Sequence, residues 1–410
     1  MNTLLVALAL PGFLLLMWLE YCIAKRKNKT YFHFNSSIAN ISIGIAERLS
    51  EVFLAGVFYT VFDYIHRNYG LFDISASVFT YLILLIVTDF LWYWYHRFGH
   101  EINLFWAAHI VHHQSEDFNF TVSARITMFQ SFLRLFFWSL LPLIGFSAPM
   151  VTLVLLAHGL YPFFVHTRLV GKLGWLEYIF VTPSHHRVHH ASNEQYLDKN
   201  YGSIFIIWDK LFGTFTKEEE EPVYGLTAPL RSHSFLWQHF HYYLELWEAA
   251  RAEGQWKDKL MVFLRRPDSV PEIFRERLEQ KFSIQKKNVQ QSMAAKPKLR
   301  TYVMLQIALA LGLLFILSLI HDRLAIGTQL CLVLFILLTL INSCAIIEQR
   351  VWIIYLEYAR LMVCFFVMGQ YYQHTWFYLL ELGAFVWLLY YFRFFRKTLI
   401  LYIFRPGLST

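Results

Sequence analysis

Apolar runs of about 20 residues, each long enough to cross a bilayer, recur along the chain between short polar breaks. The first, Leu4 to Ala24, is followed directly by Lys25, Arg26, Lys27 and Lys29. A cleaved signal peptide carries its positive charges ahead of the apolar stretch, so this run reads as a retained span. The second, Ile38 to Tyr64, holds Glu47, Arg48 and Glu51 on one helical face, where they can pair or line a polar interior. The third, Val78 to Tyr95, ends in the aromatic belt Trp92–Tyr95. From Met128 to Val165 the apolar run is nearly twice one span, and Pro142, Gly145 and Pro149 break it, which predicts a helical hairpin. Four more runs follow: Tyr302 to Ile320, Gln329 to Ile347, Trp352 to Tyr371, and Trp376 to Tyr391.

The pattern predicts an all-α, polytopic integral membrane protein of about nine spans. Composition agrees: 57% of the residues are hydrophobic and only 16% charged, against about a quarter charged in soluble proteins. Charge then orients the layout. Basic residues gather at Lys25–Lys29, in the segment Arg168–Arg300, at Arg350, and at Arg393, Arg396 and Lys397. The opposite loops hold only Arg67 or Arg323, and none lies in Gln370–Thr375. The positive-inside rule therefore places the N-terminus outside and the C-terminus in the cytoplasm. The net charge of +7 is too small and scattered to argue for nucleic acid. Cys22, Cys331, Cys344 and Cys364 all lie in apolar runs with no pairing pattern, and read as free thiols behaving as small hydrophobes.

Four regions are expected: N-terminal spans over 1–76, a His-rich domain over 77–232, an interfacial helix and linker over 233–300, and a four-span region over 301–410. Within the third, His233–Trp247 reads as a helix lying in the interface, and Pro267–Lys298 as a linker or surface helix. The acidic run Glu218–Glu221 reads as a solvated loop.

Eleven of the 18 histidines fall between His96 and His190. They form the clusters His96/His100, His109/His112/His113 and His186/His189/His190, at spacings that share one helical face. Imidazole suits iron, copper, zinc and nickel. Eight such residues exceed what one ion takes, so two ions are expected. A structural zinc site is usually closed by four ligands, with Cys common, and the carboxylate bridges of soluble di-iron bundles are missing. The all-imidazole set at a membrane edge favours iron and dioxygen. A metal transporter is the rival from another class, but its ligands belong near mid-membrane, whereas these flank charged segments. His158 and His185 are extra candidates. Glu101, Glu116, Asp117, Asp198 and Asp209 are the acids available to orient ligating imidazoles. Asp89, seven residues before His96 and so on nearly the same face, is a candidate partner for it.

The order H-x-x-x-H, H-x-x-H-H, H-x-x-H-H resembles the membrane fatty acid hydroxylase/sterol desaturase superfamily. The words YWYHRFGHEINLFWAAHIVHHQSED (Tyr93–Asp117), His166-Thr167, TPSHHRVHH (Thr182–His190), DKNY (Asp198–Tyr201), IWDKLFGTF (Ile207–Phe215) and VYGLT (Val223–Thr227) resemble its alkylglycerol monooxygenase branch. The resemblance implies an O2-dependent di-iron monooxygenase acting on a lipid from the bilayer. It implies a glyceryl ether substrate and a reduced pterin, tetrahydrobiopterin, as electron donor. Hydroxylation beside the ether oxygen gives a hemiacetal that collapses to fatty aldehyde and glycerol. The sister reading is a sterol or fatty-acyl hydroxylase or desaturase. The implied metal ligands are the eight box histidines, His96, His100, His109, His112, His113, His186, His189 and His190, with His166 as a ninth, and Glu101 is the functional acid. The setting would be a bacterial inner membrane or the endoplasmic reticulum, with the site on the cytoplasmic side. The hairpin Met128–Val165 is expected to form the alkyl tunnel, since an alkyl chain loses about 0.8 kcal/mol per CH2 on moving into water.

Overall fold

The computed structural model describes residues 3–282, 297–350, 352–372 and 375–403. It is 74% helical, with no strands among the described residues. Thirteen helices precede the segment 283–296, which lies outside the described residues together with part of the expected linker. They are α1 (Thr3–Arg26), α2 (Phe34–Tyr69), α3 (Val78–Glu101), α4 (Asn103–His113), α5 (Phe120–Ser123), α6 (Met128–Trp138), α7 (Leu140–Ile144), α8 (Ala148–Val165), α9 (Pro183–His189), α10 (Ile207–Leu211), α11 (Phe235–Ala252), α12 (Trp256–Leu264) and α13 (Ile273–Lys281). After it come α14 (Pro297–Ile320), α15 (Ile326–Ile347), α16 (Ile353–Tyr372), α17 (Thr375–Tyr390) and α18 (Phe392–Ile403). Among the described residues, four helical stretches are long and apolar enough to cross a membrane: Val78–Glu101, Ala148–Val165, Lys298–Arg323 and Ile326–Ile347. The basic residues Arg393, Arg396 and Lys397 ride on α18.

The chain forms two compact units. One comprises Gly12–Arg231 and Trp237–Gln285. Its frame follows from local rules. Ser77 caps α3, accepting from Thr80 N at 3.2 Å, with the reciprocal bond from Ser77 N to Thr80 Oγ1 at 2.9 Å. Only Ile102, in extended conformation, separates α3 from α4. The chain therefore turns back at once, and the last turn of α3 meets α4. Asn103 fixes that corner: its Nδ2 donates to Val262 O at 2.7 Å and its Oδ1 accepts from the Tyr242 hydroxyl at 2.6 Å.

The apolar stretch from Met128 is indeed broken, into α6, α7 and α8. The break is made at Gly145, whose φ of 130° L side chains rarely adopt and whose α-carbon faces the Phe72 carbonyl. Behind it, Phe62, Leu84, Trp138, Leu141, Met150 and Val151 pack into one apolar core. A second core joins α2, α4, α11 and α12 through Ile43, Ile110, Val111, Tyr242, Leu246 and Val262. The helix expected along the interface, α11, thus buries one face against α4. The other unit, built mainly of α14–α18, encloses a polar core: the Glu357 carboxylate accepts from Asn342 Nδ2 at 2.6 Å and from Arg360 Nη1 at 3.0 Å.

Candidate metal centre

Two groups of buried imidazoles lie in the first unit. His96, His100, His109, His113 and His189 form one; His112, His166, His186 and His190 form the other. Within each group one ring nitrogen per residue lies within 4.8 Å of all the others. The three clusters of the sequence do not map one to one onto these groups. On α4, His109 and His113 share a face, while His112 points to the other group; α9 likewise sends His189 one way and His186 the other. The two helices thereby stitch the groups into a single centre. The C-cap of α8 adds His166, whose Nε2 lies 3.0 Å from His186 Nε2.

Backbone carbonyls set the tautomers. His96 Nδ1 donates to Tyr201 O at 2.7 Å, His189 Nδ1 to Lys199 O at 3.0 Å, His112 Nδ1 to Arg125 O at 3.2 Å, and His166 Nδ1 to Pro162 O at 2.5 Å. A carbonyl can only accept, so in all four rings Nε2 carries the lone pair. This is how a protein orients imidazoles toward a metal. Facing nitrogens sit close: His96 Nε2 is 3.0 Å from His109 Nε2, and His109 Nε2 is 3.1 Å from His113 Nε2. His100 Nε2, His109 Nδ1, His186 Nδ1, His189 Nε2 and His190 Nε2 are buried and make no hydrogen bond. Burial first, and neighbouring imidazoles second, hold His109, His113, His186, His189 and His190 well below the ordinary imidazole value. Neutral, converging donors with unsatisfied lone pairs fit cations, and the two groups fit two of them.

The loop Asp198–Tyr201 serves three imidazoles of the first group. Lys199 and Tyr201 lend carbonyls, and Asp198 Oδ1 lies 3.7 Å from His100 Nδ1. Burial works to raise the Asp198 carboxyl, but the neighbouring His100 ring and the Arg266 guanidinium bring it below the usual range. Asp198 and Asn200 both adopt positive φ, at 58° and 55°. Asn and Asp tolerate that region best, so the spacing D-x-N was the one sequence signal of this turn. On the other side, the Glu20 carboxylate of α1 accepts from the Thr167 hydroxyl at 2.5 Å and from Phe120 N at 2.7 Å, pinning the segment beside His166. Arg125, 2% exposed, donates to Val111 O, Asn40 Oδ1 at 2.9 Å and Gln114 Oε1 at 2.6 Å. Neither Glu20 nor Arg125 stands out in the sequence, because only long-range folding gives them their partners.

Other candidates lie elsewhere. His158 belongs to neither group; its Nε2 is 2.9 Å from Asp89 Oδ1. Asp89 does not orient His96 but accepts from Ile204 N, Phe205 N and Trp208 Nε1 at 2.9–3.0 Å, because its face of α3 meets that turn. His185, outside both groups, completes the capping box at the start of α9, and burial pushes it down to about 4. Asp117 pairs with His33 at 2.5 Å. Glu101 is paired with Arg97 at 3.1 Å and lies in neither group.

The fatty acid hydroxylase family matches residues 81–214, the span holding all nine imidazoles. The alkylglycerol monooxygenase of Homo sapiens is 36% identical over 348 residues, 83% of this chain and 77% of that one. The chain belongs to the alkylglycerol monooxygenase family. The alkylglycerol monooxygenase of Danio rerio is 34% identical over the same shares, and that of Xenopus tropicalis 35% identical over 62% of this chain and 57% of its own. No solved structure matches. Family membership makes the protein an oxidoreductase of the monooxygenase class. Together with its apolar helices it indicates an integral membrane protein, and together with the imidazole groups it suggests iron binding.

Proposed function

We propose that the protein hydroxylates the carbon beside the ether oxygen of alkylglycerols, using two iron ions, O2 and a reduced pterin. The observation that carries this reading is the pair of imidazole groups, nine buried rings facing one another in two sets. His96, His100, His109, His113 and His189 would hold one ion, and His112, His166, His186 and His190 the other. Bound iron supplies the activation of dioxygen. One oxygen atom enters the C–H bond beside the ether oxygen, the other leaves as water, and the pterin provides two electrons and two protons. The hemiacetal hydroxyl then gives its proton to the departing glycerol oxygen as the C–O bond breaks, releasing fatty aldehyde.

The chain's own residues shape this chemistry. Phe118 stacks on His166 at 5.5 Å and on Tyr224 at 4.9 Å, while Trp106 covers His100 at 5.0 Å and His113 at 5.7 Å. This aromatic shell excludes water from the reacting carbon. Glu101, held by Arg97 and partly exposed, is the acid through which protons reach the first group. Nine spans, with the centre at the cytoplasmic face, complete the reading, and the hairpin of α6–α8 offers the alkyl chain an apolar path out of the bilayer. The regions 1–76, 77–232, 233–300 and 301–410 then divide the chain into anchor, catalytic domain, linker and C-terminal bundle.

The test is purified protein supplied with iron, O2, a glyceryl ether and reduced pterin, scored for fatty aldehyde. Aldehyde that disappears on iron removal is expected. Hydroxylated sterol or acyl product in its place would move the assignment to a sister enzyme, and equal turnover without iron would end it.

A further inference from the structure

Every imidazole of the first group outside α4 is oriented from the turn Asp198–Tyr201, and that turn is itself held by one carboxylate. Asp209 is fully buried. Its Oδ1 accepts from Tyr201 N at 2.7 Å and from the Thr214 hydroxyl at 2.7 Å, and its Oδ2 accepts from Gly202 N at 2.8 Å. The other end of the same residue, Tyr201 O, takes the Nδ1 proton of His96. Asp209 and His96 are therefore joined through a single residue. Gly202 makes this approach possible: a Cβ there would lie 2.9 Å from Asp209 Oδ2 and 2.6 Å from Phe205 O. The second group has no bond to this turn; its carbonyl partners belong to Arg125 and Pro162.

We propose that Asp209 is the positioning residue of the five-imidazole group, holding its ion selectively through Tyr201, and leaving the four-imidazole group untouched. This rests on the reading of the two groups as iron sites. A carboxylate can accept from two peptide N–H groups and a hydroxyl at once. An amide cannot, since its NH2 would face an N–H donor. Asp209→Asn should therefore tilt Tyr201 O away from His96 and leave its tautomer unset. Loss of such outer partners lowers metal affinity by about 10–100-fold.

The full-length protein in detergent, loaded with 57Fe, gives the readout: iron per chain and its Mössbauer spectrum. Wild type should carry two irons in two environments. Asp209→Asn should lose one and keep the other environment unchanged. Thr214→Val, a milder change that deletes one bond to Asp209, covers the case where Asp209→Asn does not fold; it should release one iron to a chelator about tenfold faster. Two irons with a wild-type spectrum in Asp209→Asn, equal loss of both irons from folded protein, or unchanged release from Thr214→Val would each overturn the proposal. Wild-type protein that binds no iron would overturn the metal reading instead.

Discussion

The Nε2 atoms of His112 and His166 stand 3.2 Å apart, each bare of hydrogen because the two Nδ1 protons are committed to the carbonyls of Arg125 and Pro162. Two lone pairs face one another across the gap, and a cation between them removes the repulsion. Stripping iron should therefore lower thermal stability. Free iron at 100 times its dissociation constant contributes about 2.7 kcal/mol per site, so chelation should shift the melting temperature down by several degrees, and iron, not magnesium, should restore it.

Acid should act in the same direction. His109, His113, His186, His189 and His190 are held well below 6.5, so the unfolded chain takes up protons that the folded chain refuses. Stability falls as pH drops below 6.5, and protons compete with iron for the same nitrogens. Iron retention measured from pH 8 to pH 5 should decline steadily; retention independent of pH would contradict this.

His33 has the opposite sign. The hydrogen bond to Asp117 raises it above 6.5 despite partial burial, with the charges of Asp117 and Glu116 adding to the effect. Its contribution is complete below 6.5 and is lost as pH rises through the raised value. Protection against hydrogen exchange at the start of α2, taken relative to the base-catalysed rate of the free peptide, should fall on going from pH 6 to pH 9, and His33→Gln should remove that fall. Half-exposure of the side chain keeps the effect small.

His158 and His166 are separated by two turns of one helix, yet only His166 joins an imidazole group. His166→Gln should cost about one iron per chain and abolish turnover. His158→Gln should keep both irons and lose only its bond to Asp89. Equal iron loss in both variants would mean that His158 serves an ion as His166 does.

Arg125→Met should destabilise the first unit by about 3 kcal/mol, since it strands the acceptors of Asn40 and Gln114 in the core at about 1–3 kcal/mol each. Denaturant unfolding in micelles measures this. A loss below 1 kcal/mol would show that the network rearranges freely.

The histidines were legible because helical spacing fixes which rings share a face: the i, i+4 pairs on α3 and α4 fall together as the pattern requires. The split of α4 and α9 between two groups was also latent in that spacing, since His112 lies about 60° or more from His109 and His113 around the axis. What the sequence hid was the set of partners. Tyr201, Lys199, Arg125 and Pro162 act through backbone carbonyls, which any residue carries. Asp89 misled because a shared face fixes direction but not reach: it meets the turn at Ile204–Trp208 before it meets His96. Of the nine spans expected, four stretches among the described residues reach spanning length and apolarity by themselves.

Glu20 belongs to α1, far upstream of the matched stretch 81–214, yet its two oxygens secure Thr167 and Phe120. The portable part of this enzyme is consequently larger than its signature. Grafting only the histidine-bearing portion onto a foreign anchor would leave a hydroxyl and an amide beside His166 without their acceptor, so any working transplant must bring the first helix along.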